Sequence, residues 1–209
     1  FPFPAKCRVR ATAAERRRRI DRAGFSGAVR MKWGNAQEAT AVLTALNYFA
    51  AREPGVRVRE VGMCGAGLEI AANSSLLVGA SPDAILVYPD GTEEALEVKN
   101  HCPFVERRRE GGPRFAVREL PFSEPHLPPQ YVSQMMMEMM CVGPRCASAV
   151  MVRQTATAGA LIVRLRRDEA WLREMMFWLD RFCAEFVDRG EEPPPNFFWN
   201  DEGLGDRYR

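Results

Sequence analysis

Apolar residues recur at helical spacing at Ala39, Val42, Leu43, Leu46, Phe49 and Ala50 until Pro54-Gly55 stops them, which predicts a helix. From Val56 to Val61 apolar and charged residues alternate, the mark of a half-buried strand. Residues 76–79 and 84–87 read as strand segments on either side of Ser81-Pro82-Asp83. Tyr88-Pro89-Asp90-Gly91 has the chemistry of a hairpin turn, and 95–99 returns as the partner strand. Pro128-Pro129 then opens a helix through about Cys141 that carries Met135, Met136, Met137, Met139 and Met140. Residues 147–152 and 160–165 predict two more strands joined near Thr157-Ala158-Gly159. Asp168 caps a last helix striped with Leu172, Met175, Met176, Leu179, Phe182, Cys183 and Phe186, and Pro193-Pro194-Pro195 ends it. The order is helix, strand meander, helix, two strands, helix. It predicts one mixed α/β domain without internal repeats.

Composition narrows the class. At 209 residues, 46% hydrophobic and 27% charged, the chain lies in the globular range rather than the disordered or fibrous one. No apolar run approaches the roughly 20 residues of a membrane span. The chain starts at Phe1 without Met, and Phe1-Pro2-Phe3-Pro4-Ala5-Lys6 makes no signal peptide, so a fragment or excised domain is expected. Six Cys are too sparse for a disulfide scaffold, and the Cys141/Cys146 spacing is loose for a zinc ribbon, so reduced thiols in an intracellular protein are the expectation. The net charge of +2 hides an asymmetry: residues 1–32 hold ten Lys/Arg against Glu15 and Asp21. The run Arg16-Arg17-Arg18-Arg19 suits either a polyanion or a solvated arm, near a weak helical stretch at 12–22. Residues 103–129 hold six Pro, Gly111-Gly112 and Arg107-Arg108-Arg109, which reads as a mobile loop insertion. The chain divides accordingly into a basic segment 1–32, a domain 33–190 interrupted by 103–129, and a Pro-rich tail 191–209.

The chemistry concentrates at Ser81-Pro82-Asp83 and, across the hairpin, Glu97-Val98-Lys99. Alternation along a strand puts Glu97 and Lys99 on one face, and the hairpin folds Asp83 beside them. Two carboxylates suit a hard cation such as Mg²⁺, which keeps much of its water and completes its shell with phosphate oxygens. An ammonium beside them orients water and steadies developing negative charge, as phosphodiester hydrolysis requires. A bare cross-strand Glu–Lys pair is the plainer reading.

Pro82-Asp83, thirteen residues and then Glu97-Val98-Lys99 resembles the PD-(D/E)xK nuclease signature. The string Gly79-Ala80-Ser81-Pro82-Asp83-Ala84 is similar to the YqaJ-type viral recombinase domain, the group that contains phage lambda exonuclease. Trp33-Gly34-Asn35-Ala36-Gln37-Glu38 resembles that family's upstream helix, and Pro129-Gln130-Tyr131-Val132-Ser133-Gln134-Met135-Met136 its downstream Q-x-Q helix. The resemblance implies a restriction-endonuclease-like fold, a central mixed sheet flanked by helices. It implies a metal-dependent DNA nuclease, a 5′-to-3′ exonuclease on duplex DNA ends in recombination or repair, using Mg²⁺ or else Mn²⁺. It also implies a single-strand annealing protein as partner, a homo-oligomer, and no membrane.

By the same resemblance Asp83, Glu97, the Val98 carbonyl and Glu38 bind metal, Lys99 positions the attacking water, and Gln134 supports the site. Met136 stands where the second Gln is expected, a departure from the pattern. Other readings compete. Asn35-x-x-Glu38 is also a capping box, Gln134 suits a polar helix–sheet seam, and Glu69 rivals Glu38 as third carboxylate. The Met run reads as core packing. A non-catalytic DNA-binding module with this fold is the alternative function. An iron–sulfur nuclease would need four suitably placed Cys, with three clustered near the C-terminal end, and only Cys141, Cys146 and Cys183 follow the core.

Overall fold

The computed structural model describes residues 24–65, 78–106, 115–117, 127–198 and 200. Glu69, the stretch 12–22, the runs at Arg16 and Arg107, and the tail from Asp201 onward lie outside the described residues.

Alternating apolar positions build two cores, one on each side of a sheet. Among the described residues five strands pair in the order β1 (Arg57–Arg59), β4 (Ala84–Val87), β5 (Glu93–His101), β8 (Cys146–Thr155) and β9 (Gly159–Arg166). The β5–β8 ladder is parallel and the others antiparallel, so the sheet is mixed, as the sequence predicts. Ala84, Leu86, Leu96, Val98, Val150 and Val152 pack on one face against Ala41, Ala45 and Phe49 of helix α1 (Gly24–Ala50). Ala95, Ala149 and Met151 turn the other way, onto Met135, Met136, Met139 and Met140 of helix α2 (Val132–Val142). Strands covered on both faces need near-continuous apolar runs, which β4 and β8 supply.

The methionines are therefore core, Met136 among them. An unbranched, polarizable side chain fills the irregular gap between helix and sheet. Helix α3 (Glu169–Phe182) joins this side through Leu172 and Met176. Asp168 caps it as expected: its carboxylate accepts from the N–H groups of Ala170 (2.9 Å) and Trp171 (3.0 Å). The helix gives way to one π turn, Cys183–Val187, before the prolines are reached.

Three elements differ from the sequence expectations. Helix α1 begins at Gly24, not near Asn35: no proline separates the two, the helix runs through Gly27 and Gly34, and Trp33 finds a partner in Phe104, ring to ring at 5.4 Å. Asn35 thus lies inside a helix and caps nothing, and the division at residue 33 falls within a continuous element. The insertion 103–129 is not all loop: β6 (Phe104–Glu106) and β7 (Phe115–Val117) pair antiparallel within it. Finally, β2 (Cys64–Gly65) and β3 (Gly79–Ala80) form their own small ladder under α2. A Cβ on Gly79 would meet Met63 Sδ at 2.9 Å and the Cys64 carbonyl at 3.1 Å, so a larger residue fits this crossing only if both give way.

The C-terminus of α2 is held by Arg167, whose Nη1 donates to the carbonyls of Met139 and Gly143, each at 3.0 Å. A charged donor on two helix-end carbonyls offsets both the orphan acceptors and the negative end of the helix dipole. Arg167→Met should lower the unfolding free energy by about 1–3 kcal/mol in urea denaturation. An unchanged midpoint would show that α2 is held by its methionines alone.

Candidate active site

The hairpin that makes the site is local chemistry. Gly91 takes φ of +85° and donates to the Tyr88 carbonyl at 3.0 Å, while the Asp90 carboxylate accepts from the Thr92 N–H at 2.9 Å. That closure sets the register of β4 on β5, with Ala84 opposite Leu96. Asp83, one residue earlier and just after the fully buried Pro82, therefore arrives opposite Glu97. Its Oδ2 accepts the Val98 N–H at 2.7 Å, which fixes the carboxylate at the strand edge.

Glu97 is 3% exposed and points, like Ala95, to the α2 face. Its Oε1 accepts from the Lys99 ammonium. The same ammonium lies 5.3 Å from the centre of the Tyr131 ring, a cation–π distance. Burial works against the charge on Lys99, but the Glu97 carboxylate outweighs it and holds the pKa above its ordinary value. The lysine is a fixed cation.

Helix α2 brings two more polar side chains to this face. Gln134 Nε2 donates to Glu138 Oε1 at 2.8 Å, one helical turn along. Glu138 is 1% exposed, and its Oε2 has no hydrogen-bond partner among the described residues. Burial, then the charge of Glu97, pushes its pKa up to about 8, and the charge of Asp83 adds to the shift. Asp83 is likewise pushed up to about 6, first by burial and then by Glu97, against the opposing Val98 hydrogen bond.

The expected residues are thus placed unequally. Asp83, Glu97 and Lys99 are joined by hydrogen bonds around Val98, and Gln134 reaches the cluster through Glu138. Glu38 is exposed on α1, close enough for its charge to act on Asp83 but without a hydrogen bond among the described residues. Sequence reading missed Glu138 and gave Tyr131 no role of its own. The available signal was a glutamate four residues after Gln134 in a run of methionines, a charge where only core was expected.

At the far end of β5, Glu93 and Glu94 are buried too, yet both are paired. Glu93 accepts from Arg59 at 2.7 Å and Arg145 at 3.2 Å, and Glu94 from Arg164 at 2.7 Å, from the Tyr88 hydroxyl and from the Ser148 hydroxyl. These carboxylates hold strands together. They leave no reactive group exposed.

The raised carboxyls set the pH dependence of stability. Both Asp83 and Glu138 bind a proton more tightly in the folded chain, so their contribution is full below their ordinary values of 3.8 and 4.5. It is lost as pH climbs through about 6 and about 8. In the presence of chelator, Tm should fall across that window, and Glu138→Gln should flatten the upper part of the fall. A Tm profile whose upper part keeps the same slope in the variant would contradict the assignment.

The model of the YqaJ-like viral recombinase domain family matches residues 4–145, more than half of the chain. Two solved structures are similar to it. One is LHK-Exo in complex with dAMP, 21% identical, covering 86% of this chain and 83% of that chain with a TM-score of 0.49. The other is the alkaline exonuclease LHK-Exo from Laribacter hongkongensis, 18% identical over 85% of this chain and 82% of that chain, also with a TM-score of 0.49. No protein of curated function matches the sequence. Matched along its sequence through β2 to β5 and the α2 helix, the chain belongs to the YqaJ-like viral recombinase domain family.

Proposed function

We propose that this domain is a metal-dependent DNA nuclease, and that it digests duplex DNA ends 5′ to 3′ in recombination or repair. The observation that carries the proposal is the convergence of Asp83, Glu97 and Lys99 about the Val98 backbone. Membership in the family supports the nuclease class.

The donor set fits Mg²⁺ or Mn²⁺. Asp83 and Glu97 offer hard anionic oxygens at a strand edge, the Val98 carbonyl is the proposed third donor, and Glu38 is an exposed carboxylate whose charge reaches Asp83. Among the described residues no three His, Cys, Asp or Glu side chains stand together as a ready-made metal-binding group, so the donors proposed from side chains are the two strand carboxylates first. An open arrangement suits Mg²⁺, which takes one or two carboxylates and leaves the rest of its shell to water and phosphate. When bound, such a cation draws charge from the scissile phosphate and lowers the proton affinity of neighbouring water.

The protein's own groups do the remaining work. The Val98 N–H holds Asp83 in place, so no reorganisation is needed when a phosphate arrives. Glu97 and the Tyr131 ring hold the Lys99 ammonium where it orients the attacking water and faces the charge that develops on the phosphate. Gln134 supplies an amide anchored on Glu138 beside that path. A single-strand annealing protein and further copies of this chain are the partners proposed with this function.

Linear duplex DNA labelled at its 5′ ends tests the reading, with closed circular duplex beside it. Label should be released as mononucleotide from linear DNA only, in Mg²⁺ and not in chelator. Lys99→Ala should reduce the rate by about 10²-fold or more, the scale for removing one preorganised charge-stabilising group. Nicking of the circle would make the protein an endonuclease. A folded protein that cuts neither DNA in Mg²⁺ or Mn²⁺ would leave a DNA-binding module.

A further inference from the structure

Buried carboxylates in this chain come with cations. Glu93 has Arg59 and Arg145, Glu94 has Arg164, and Glu97 has Lys99. Glu138 is the exception among the described residues. It is 1% exposed, one oxygen accepts only the neutral amide of Gln134, and the other accepts nothing. A buried polar oxygen without a partner is costly, and natural structures seldom retain one without a use.

Its position supplies the use. Glu138 sits on the helix that covers the Glu97 face of β5, near enough to Glu97 and Asp83 for both of their charges to act on it. When all three are ionised, Asp83, Glu97 and Glu138 together bring three negative charges, and Lys99 returns one positive. The remainder is two negative charges in a largely buried place, which one divalent cation neutralises. Glu38, exposed on α1 and without a hydrogen bond among the described residues, is not needed for that balance.

We infer that Glu138 is a third carboxylate of the catalytic cation's shell, swinging its unpaired oxygen to the metal while the other stays on Gln134. The inference rests on the metal-dependent nuclease reading above. It gives Gln134 a role that its sequence position alone does not: it is a positioning residue for Glu138. It also gives a reason for the single acidic residue in the methionine-lined face of α2.

The test is direct binding of Mn²⁺ to the full chain, followed by electron paramagnetic resonance of the free ion, for wild type, Asp83→Asn and Glu138→Gln. Glutamine is close in shape to a protonated Glu138 and can still accept from Gln134, but it cannot ionise. A purely structural, protonated Glu138 therefore predicts unchanged affinity in Glu138→Gln. A metal-shell Glu138 predicts affinity weaker by about tenfold or more, the lower end of the loss seen even for outer-shell partners. The rise in Tm produced by saturating Mn²⁺ should shrink in the same variant, and the Tm without metal shows that it is folded. Wild-type affinity and an undiminished Tm rise in Glu138→Gln, with binding lost in Asp83→Asn, would overturn the inference and leave the nuclease reading standing. No Mn²⁺ bound by wild type would overturn both.

Discussion

One antiparallel register decides whether this domain has a site. With Ala84 opposite Leu96, the side chain of Asp83 reaches the Val98 N–H at 2.7 Å and stands beside Glu97. A slip of one residue would send Glu97 and Lys99 into the apolar α1 face and take Leu96 and Val98 away from Ala41, Ala45 and Phe49. Two things forbid the slip. The turn 88–92 closes with its own hydrogen bonds, and the parallel ladder to β8 locks β5 from the other side, residue by residue from Glu94 to His101.

The same ladder explains why charge can be kept at the edge of a core. Strand β5 carries Glu93, Glu94 and Glu97, each 5% exposed or less, which a central strand tolerates only when every carboxylate is met. Arginines from β1, β9 and the segment before β8 meet the first two and act as cross-strand ties. Lys99, on the same strand as its partner, meets the third without drawing in another element. The ion pair at the site thus ties down no further strand, while the pairs at the far end close the sheet.

How much of this the sequence discloses follows from how local each signal is. The hairpin, the Asp83–Glu97–Lys99 convergence and the capped α3 are written within about twenty residues each, in turn residues, alternation and a cap, and those were legible. Helix α1 ahead of Asn35 was not, because Gly24, Gly27 and Gly34 weaken its helical signal and Trp33 packs on Phe104, about seventy residues away. Strands β6 and β7 were hidden by the prolines and glycines that surround them. Glu138 was hidden by its neighbours: among Met135, Met136, Met139 and Met140 a lone glutamate has no pattern, and only folding α2 onto β5 brings it to Glu97.

That origin on different elements is itself informative about how the site works. Asp83 and Glu97 are set by backbone register, so their spacing cannot relax without disturbing the sheet. Gln134 and Glu138 are set by the seat of a helix on methionines, whose flexible side chains repack at little cost. The strand carboxylates are the fixed jaw of the site and the helix side chains the adjustable one. Arg167, holding the far end of α2 through Met139 and Gly143, limits how far that jaw can travel. Such a division keeps rigid the strand carboxylates, whose charge is set in advance by backbone register, and leaves compliant the helix side chains that lie against them.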